Sequence, residues 1–208
     1  MTALSPSLYA ADPLLITDEL EAVAPYAESF HLDVMDGQFA PEFGLNFRFI
    51  RDLAQATEIP LDVHLMLARP RDAVVRVAEM GVRSIAVHVE IKDDLRDLVS
   101  IIRRNGGKAY AALRHTTPVS VLEPILEAID GCLFLTAPAG GGKFDELAFE
   151  RLAQRPKGLH TVVDGKIGPE HFARLRAHGV DVAVVGGALF SNGHVAERAA
   201  KFVAALAG

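Results

Sequence analysis

The stretch FHLDVMDG, residues 30–37, indicates the fold class of this chain. Its apolar run breaks into polar residues at the carboxyl end and carries His31 and Asp33. Two other runs have the same form, LDVHLM with His64 and HTVVDG with Asp164. In a parallel α/β barrel the carboxyl ends of all strands open into one active site, so we expect these four side chains to converge. Two imidazoles and two carboxylates predict a divalent metal site that keeps coordination positions open for a substrate.

Outward from this stretch, strand-like runs alternate with helical patterns along the whole chain. The predicted strands are Leu4–Tyr9, Phe30–Asp33, Leu61–Met66, Ser84–His88, Lys108–Leu113, Cys132–Thr136, His160–Asp164 and Asp181–Val185. Helical spacing of apolar residues lies between them, for example in Arg71–Met80 and Asp94–Arg104. Eight units in 208 residues predict a single-domain (β/α)8 TIM barrel with parallel strands. A doubly wound sheet is the alternative, because the strand count alone does not require closure.

Composition limits the class of protein. Half of the residues are hydrophobic and 23% are charged, as expected for one globular domain with a large core. The single cysteine, Cys132, excludes an internal disulfide framework and suits a reducing cytoplasm. We expect neither export nor membrane spanning, since the chain has no apolar signal segment and no apolar run of about 18 residues. The net charge of −6 argues against nucleic acid as the main partner.

Several motifs together carry a family resemblance. PSLYAAD, FHLDVMDGQFAP, LDVHLML, VHVE, VVDG and VVGGALF occur in this order and at fitting spacing. The chain resembles ribulose-phosphate 3-epimerases over nearly its whole length, and HLDVMDG-x-F followed by DVHLM is the most specific part. The resemblance implies one ribulose-phosphate-binding TIM-barrel domain over residues 1–208. It further implies a metal-dependent, cytoplasmic enzyme that epimerises pentulose phosphates at C3.

The resemblance also implies roles for the four polar side chains. His31, Asp33, His64 and Asp164 are expected to bind one divalent ion per subunit, with Asp33 and Asp164 doubling as the acid/base pair. Two imidazoles favour Zn²⁺, Fe²⁺, Mn²⁺ or Co²⁺ over Mg²⁺ and Ca²⁺, which prefer all-oxygen sites. A proton beside a ketone is weakly acidic, and a bound metal stabilises the enediolate left by its removal. Epimerisation requires reprotonation from the opposite face, which two carboxylates from well-separated strands could provide.

The substrate-binding side chains implied by the resemblance are Ser7, Met35, His64 and Met66. The methionines would form a polarizable floor that contains little water, although ordinary core packing is the alternative interpretation of both. Ser7 could instead hydrogen-bond locally. We assign the remaining histidines to structural or solvent-facing positions. His88 is the exception, because it ends the fourth strand and could contact the substrate or a metal ligand.

Glycines after the last three strands predict a phosphate site. Backbone amides of such loops and of a helix N-terminus commonly bind phosphate late in TIM barrels. The alternative is that these glycines only make tight turns. The residues predicted to bind phosphate are Gly141, Gly142, Gly165, Gly186 and Gly187.

Three segments depart from the family pattern. Arg114-His115 replaces the usual Asn-Pro after the fifth strand, and LTAPAGGGKF is a shortened loop in which Leu135 replaces a pocket methionine. Lys166 stands where a phosphate-binding glycine is expected. Arg114 and Lys166 are therefore candidate specificity residues, with an outward, solvent-facing orientation as the alternative for each. The departures lie where the end of the sugar remote from C3 is expected to bind, so they affect the choice of substrate more than the reaction type.

Three functions stay open at this point. The first is epimerisation of D-ribulose 5-phosphate to D-xylulose 5-phosphate by two-base proton transfer through a cis-enediolate. The second is the same chemistry on another ketose phosphate, such as a hexulose 6-phosphate. The third is a noncatalytic sugar-phosphate-binding barrel, which the retained aspartates and histidines disfavour. In each case we expect a phosphorylated sugar as partner, neither nucleic acid nor membrane, and a homo-oligomer.

Overall fold

Eight parallel strands alternate with helices in the computed structural model, which describes residues 1–208. The strands are β1 (Ala3–Pro6), β2 (Phe30–Met35), β3 (Leu61–Met66), β4 (Ser84–His88), β5 (Lys108–Leu113), β6 (Gly131–Leu135), β7 (His160–Asp164) and β8 (Val182–Val185). The α-helices are α1 (Ile16–Val23), α2 (Phe47–Ala56), α3 (Arg71–Ala78), α4 (Leu95–Arg104), α5 (Ala148–Ala153), α6 (Pro169–Ala177), α7 (Gly187–Phe190) and α8 (Val195–Ala207). Three 3₁₀ segments, Leu8–Ala10, Ala24–Tyr26 and Val119–Ile125, complete the chain.

The sheet curves round until its two edge strands meet. All neighbouring strands pair in parallel in the order β1-β8-β7-β6-β5-β4-β3-β2. The edges β1 and β2 are joined by a parallel bridge between Ser7 and His31, and the Ser5 hydroxyl donates to the Ser29 carbonyl oxygen at 3.1 Å. The predicted (β/α)8 barrel is therefore confirmed, and the doubly wound alternative is set aside.

The apolar residues form two layers, one inside the barrel and one between the barrel and its helices. Tyr110, Leu133 and Val162 are buried inside the barrel, where their side chains fill its lower part. The outer faces of the strands pack against helices through side chains such as Leu98 and Ile102. The packed interior makes the strands a rigid support for any side chain at their carboxyl ends.

Two of the predicted strands differ from the structure by two residues or more, and one of them, Phe30–Asp33, continues to Met35. The predicted strand Leu4–Tyr9 ends at Pro6, because Leu8–Ala10 turns into a 3₁₀ helix that closes hydrogen bonds to Ser7 and Leu8. The element between β5 and β6 is a 3₁₀ segment, Val119–Ile125, and contains Pro124, which lacks the amide hydrogen that an α-helix needs. None of the helices is both long enough and apolar enough to span a bilayer.

Candidate active site

The alternation of side chains along β2 and β3 explains why polar residues meet inside the barrel. Successive strand residues point to opposite faces, so His31, Asp33 and Met35 share the inner face of β2. Leu32 and Val34 point outward into the core beneath the helices. The register pairs Asp33 of β2 with His64 of β3, which places both at the same level of the barrel.

Four side chains converge at this level, one or two from each of three strands. One donor atom from each of His31, Asp33, His64 and Asp164 lies within 4.8 Å of every other. The His31 Nε2 atom is 3.2 Å from Asp33 Oδ1 and 3.7 Å from Asp164 Oδ2. The His64 Nδ1 atom is 3.3 Å and 3.4 Å from the same two oxygens. These separations match those between donors that share one ion at about 2.1 Å.

The nitrogen that His64 directs at the carboxylates supports a cation site. His64 Nδ1 is buried and makes no hydrogen bond. A buried polar atom without a partner costs about 1–3 kcal/mol, so native proteins rarely keep one without a function. A divalent ion would use this lone pair together with the two carboxylates, and the donor set therefore fits a borderline metal such as Zn²⁺.

The charges in the cluster influence one another. Burial alone would lower the pKa of His31, but the Asp33 carboxylate outweighs that effect and raises the pKa to about 9. Burial acts in the opposite sense on Asp33, whose pKa is nevertheless held well below its usual range by the His31 imidazole. Burial is also outweighed at His64, whose pKa is raised by Asp164 and Asp33. The Asp33 carboxylate is thus anionic and attracts positive charge.

Ser7 and the two methionines lie beside this cluster. The Ser7 hydroxyl donates a 2.7 Å hydrogen bond to Asp33 Oδ2, so it orients one of the predicted catalytic carboxylates. Met35 and Met66 are paired neighbours in the register of β2 and β3, and both are buried at the wall of the main cavity. Leu135 also lines this cavity. The side chains of Met35, Met66 and Leu135 therefore form an apolar surface next to the carboxylates.

A cavity of about 450 Å³ opens at the carboxyl ends of the strands. Asp33 and Asp164 line it, whereas the fully buried His64 does not and lies behind them. Four of the five predicted phosphate-binding glycines line the cavity, namely Gly141, Gly165, Gly186 and Gly187. Gly142 is not among the lining residues. Tyr9 and Glu170 also line the cavity, although neither was predicted as a site residue; Tyr9 belongs to the PSLYAAD motif and Glu170 to none of the quoted motifs.

The two candidate specificity residues lie in different places. Lys166 lines the cavity and has a left-handed backbone with φ of 57°. Arg114 is not a lining residue, because its guanidinium stacks on the Phe39 ring at 3.8 Å and donates to the Phe39 carbonyl oxygen at 2.7 Å. Of these two cations, only Lys166 is therefore placed to meet a substrate directly.

A chain of hydrogen bonds runs outward from the far side of His64. His64 Nε2 lies 2.9 Å from His88 Nε2, and His88 Nδ1 lies 2.9 Å from Glu90 Oε2. Burial lowers the pKa of His88 to about 4. Burial also works to raise the pKa of Glu90, but hydrogen bonds from His88 and Thr117 outweigh it and lower the pKa to about 2. The sequence left the role of His88 open and gave Glu90 no role, although the VHVE motif contains both residues.

The Ribulose-phosphate 3 epimerase family matches residues 3–190. A ribulose-phosphate 3-epimerase of Treponema pallidum is 31% identical, covering 91% of this chain and 91% of the relative. Another, from Bacillus subtilis, is 29% identical over 92% of this chain and 94% of its own length.

Solved structures give the fold independently. The tryptophan synthase alpha-subunit of Pyrococcus furiosus, in a mutant form, superposes with a TM-score of 0.72 at 20% identity and covers 99% of this chain and 98% of its own. This similarity supports the barrel alone. By its sequence the chain belongs to the ribulose-phosphate 3-epimerase family, and it is an epimerase of the isomerase class.

Proposed function

We propose that the chain epimerises a phosphorylated ketose at C3, with D-ribulose 5-phosphate and D-xylulose 5-phosphate as the substrate pair. The observation that carries the proposal is the pair of carboxylates, Asp33 and Asp164, on the wall of one cavity. They come from β2 and β7, which are separated by β1 and β8 in the barrel. The two carboxylates thus reach the cavity from different sides, as proton transfer to either face of one carbon requires.

The proposed reaction exchanges one proton for another. One aspartate removes the proton from C3, which leaves a planar cis-enediolate, and the other donates a proton to the opposite face. The two aspartates then exchange roles in the reverse direction. Ser7 keeps its hydrogen bond to Asp33 Oδ2, which orients that carboxylate, and Met35 and Met66 exclude water from one side of the planar intermediate.

The four converging side chains are the proposed holders of one divalent ion per subunit, Zn²⁺, Fe²⁺, Mn²⁺ or Co²⁺. The unpartnered Nδ1 of buried His64 and the mixed nitrogen and oxygen donors support this assignment. When bound, the ion supplies Lewis-acid stabilisation of negative charge on the substrate oxygens. His31 and His64 hold fixed positions on strands, so they would keep the ion at a constant distance from both aspartates.

The loops after β6, β7 and β8 are the proposed phosphate site. Gly141, Gly165, Gly186 and Gly187 bring backbone to the cavity wall without side chains in the way. Phosphate bound there would fix the reacting carbon relative to the aspartates. Phosphate binding by Gly142 stays a prediction. The homo-oligomeric state and the cytoplasmic location of the protein stay predictions as well.

A hydrogen-isotope experiment tests the two-base proposal. The purified enzyme is incubated with D-ribulose 5-phosphate in heavy water, and the product is examined by NMR. We expect deuterium at C3 of the epimerised product, because the incoming proton comes from a group that exchanges with solvent. Metal per subunit is measured on the same sample. Product without deuterium at C3 would contradict two-base exchange unless the abstracted proton is shielded and returned internally.

A second substrate is favoured by one observation, the position of Lys166 on the cavity wall. An added cation near the phosphate loops suits a ketose phosphate with more or differently placed negative charge, such as a hexulose 6-phosphate. Relative kcat/KM across a panel of ketose phosphates decides between the substrates. A preference for a hexulose 6-phosphate would replace the pentulose assignment and leave the reaction type unchanged.

A further inference from the structure

We infer that His88 and Glu90 are positioning residues that hold His64 with its Nδ1 lone pair directed at the metal. The inference rests on the proposed function, because it presupposes the ion held beside Asp33 and Asp164. Neither His88 nor Glu90 lines the cavity, so neither is placed to touch the substrate. Their effect would therefore pass through His64.

The two nitrogens of His64 face different surroundings. Nδ1 faces the carboxylates of Asp33 and Asp164, and Nε2 faces His88 Nε2 at 2.9 Å. A metal ligand must present a lone pair, so Nδ1 has to be the nitrogen without a hydrogen. Nε2 then carries the hydrogen, and it needs an acceptor because the ring is fully buried. His88 Nε2 is the acceptor within reach.

The role of His88 follows from that requirement. If Nε2 of its neutral ring accepts from His64, its hydrogen is on Nδ1. His88 Nδ1 lies 2.9 Å from Glu90 Oε2, where the carboxylate accepts this hydrogen. Each of the four ring nitrogens thus has a single role. Metal-binding histidines commonly have such a carboxylate-supported partner, which fixes the tautomer and the ring orientation.

Glu90 is held by donors on both of its oxygens. Oε2 faces His88, and Oε1 accepts a 2.8 Å hydrogen bond from the Arg114 backbone amide and another from the Thr117 hydroxyl. His88, the Arg114 amide and Thr117 all donate, so the side chain at position 90 must present a hydrogen-bond acceptor at both of its terminal atoms. A glutamine amide has one oxygen and one NH₂ group, and it would direct the NH₂ at a donor on one side.

The surroundings of His88 keep water away from the relay of His64, His88 and Glu90. The His88 ring is fully buried, and the Phe39 ring packs on it with centroids 4.5 Å apart. Arg114 in turn anchors Phe39 by stacking and by a hydrogen bond to its carbonyl oxygen. The contact with His88 is the one hydrogen bond of the buried His64 Nε2, so losing His88 as acceptor leaves that hydrogen without a protein partner.

The decisive variant is Glu90→Gln, tested by Zn²⁺ binding. The full chain is stripped of metal, and the Zn²⁺ dissociation constant is measured by competition with a chromophoric chelator. We expect the dissociation constant to rise roughly 10- to 100-fold. Thr117→Val keeps the carboxylate and removes one donor to it, so the rise should be smaller. This variant also keeps the inference testable if Glu90→Gln does not fold.

Ser84→Ala is the matched control. Ser84 is buried on the same strand as His88, and its hydroxyl donates to a carboxylate, Asp62 Oδ1, at 2.7 Å. The relay does not include it. The control should lower the melting temperature without changing the Zn²⁺ dissociation constant. An equal loss of affinity in Ser84→Ala and Glu90→Gln would overturn the inference, because general destabilisation would then account for both.

Imidazole nitrogen NMR gives a second measurement that does not depend on activity. In the Zn²⁺-loaded protein, His88 should be the Nδ1–H tautomer, and Glu90→Gln should populate the Nε2–H form. A folded Glu90→Gln protein with unchanged Zn²⁺ affinity, or His88 as Nε2–H in the unmodified protein, would overturn the relay alone. An unmodified protein that takes up no Zn²⁺, Fe²⁺, Mn²⁺ or Co²⁺ would contradict the metal assignment itself, and the relay with it.

Discussion

The two halves of the candidate active site are built differently. The proposed metal and proton-transfer half uses side chains of β2, β3 and β7 that are buried or nearly so, and hydrogen bonds from His31 and Ser7 hold the Asp33 carboxylate. The proposed phosphate half uses the backbone of loops after β6, β7 and β8. There Gly141 and Gly165 have φ of 149° and 114°, and the neighbouring Lys166 is exposed.

This difference separates chemistry from substrate choice. Strand side chains packed in a barrel keep their positions when loops change, so the same reaction can be retained on a different substrate. The two histidines, the two aspartates and the two methionines of the family pattern are all present at strand positions, and Leu135 on β6 is the one departure predicted on a strand. The departures at Arg114 and Lys166 lie just beyond the strand ends. If the two halves are separable, a change in one half should leave the function of the other half unchanged.

The largest effect is expected from loss of the metal half. The double variant His31→Ala/His64→Ala removes both imidazoles and leaves two adjacent carboxylates without the nitrogen donors of a borderline-metal site. We expect metal content near zero and loss of epimerase activity, measured by elemental analysis and a coupled assay. Full metal occupancy in the double variant would contradict the assignment of these histidines.

The next effect concerns proton transfer alone. Asp164→Asn keeps an oxygen donor but cannot accept the C3 proton, so kcat should fall by about 10²- to 10⁴-fold. Metal per subunit is measured alongside to separate this loss from loss of the ion. An Asp164→Asn enzyme with full metal and more than half of the original kcat would remove Asp164 from the acid/base pair. Asp33→Asn is the companion variant, with the same expectation.

A substrate without a phosphate group tests the proposed phosphate half of the site. Phosphate bound at the proposed loop site would orient the reacting carbon, so an unphosphorylated ketose should react with kcat/KM lower by at least about 100-fold. The metal content of the enzyme is the same in both assays. Equal efficiency with and without phosphate would eliminate the phosphate site and leave the metal half intact.

The same contrast explains what the sequence could predict. Alternation along the strands places His31, Asp33 and Met35 on one face, and the barrel brings strand ends together, so both the fold and the polar cluster were predictable. The relay through His88 and Glu90 was not, because the VHVE motif contains both residues but does not say that His88 meets His64 of the neighbouring strand. The available signal was the spacing of two residues between His88 and Glu90 at the end of β4.

The loops were less predictable for a different reason. A phosphate site made of backbone depends on φ and ψ angles, which glycines permit but do not specify. Gly141 and Gly142 are adjacent and look equivalent in sequence, yet only Gly141 lines the cavity. In Gly142 an added Cβ would lie 2.9 Å from the Pro138 ring, so close packing accounts for that glycine.

A smaller effect is expected from Gly187→Ala, which adds one methyl group to the phosphate half. The protein has no atom within 4 Å of an added Cβ, and the residue begins α7, where alanine is favoured over glycine. The melting temperature should therefore not fall. KM for the phosphorylated ketose should rise about tenfold, equivalent to about 1.4 kcal/mol. An equal rise for the unphosphorylated ketose would show that the methyl group acts elsewhere than on phosphate.

The smallest effect is expected from the two cations that depart from the family pattern. Only one of the two, Lys166, is expected to influence which substrate the enzyme prefers. Lys166→Gly removes a charge from the cavity wall and relieves a left-handed φ, so it should preserve stability. It should change the relative kcat/KM of competing ketose phosphates by about fivefold, equivalent to about 1 kcal/mol for one exposed charge pair.

Arg114→Asn should leave the order of preference among these substrates unchanged, because the guanidinium contacts Phe39 and lies outside the cavity wall. Metal content should be constant for Lys166→Gly. A change in ranking with Arg114→Asn but not with Lys166→Gly would reverse the assignment and show that Arg114 reaches the substrate after movement of the Phe39 loop.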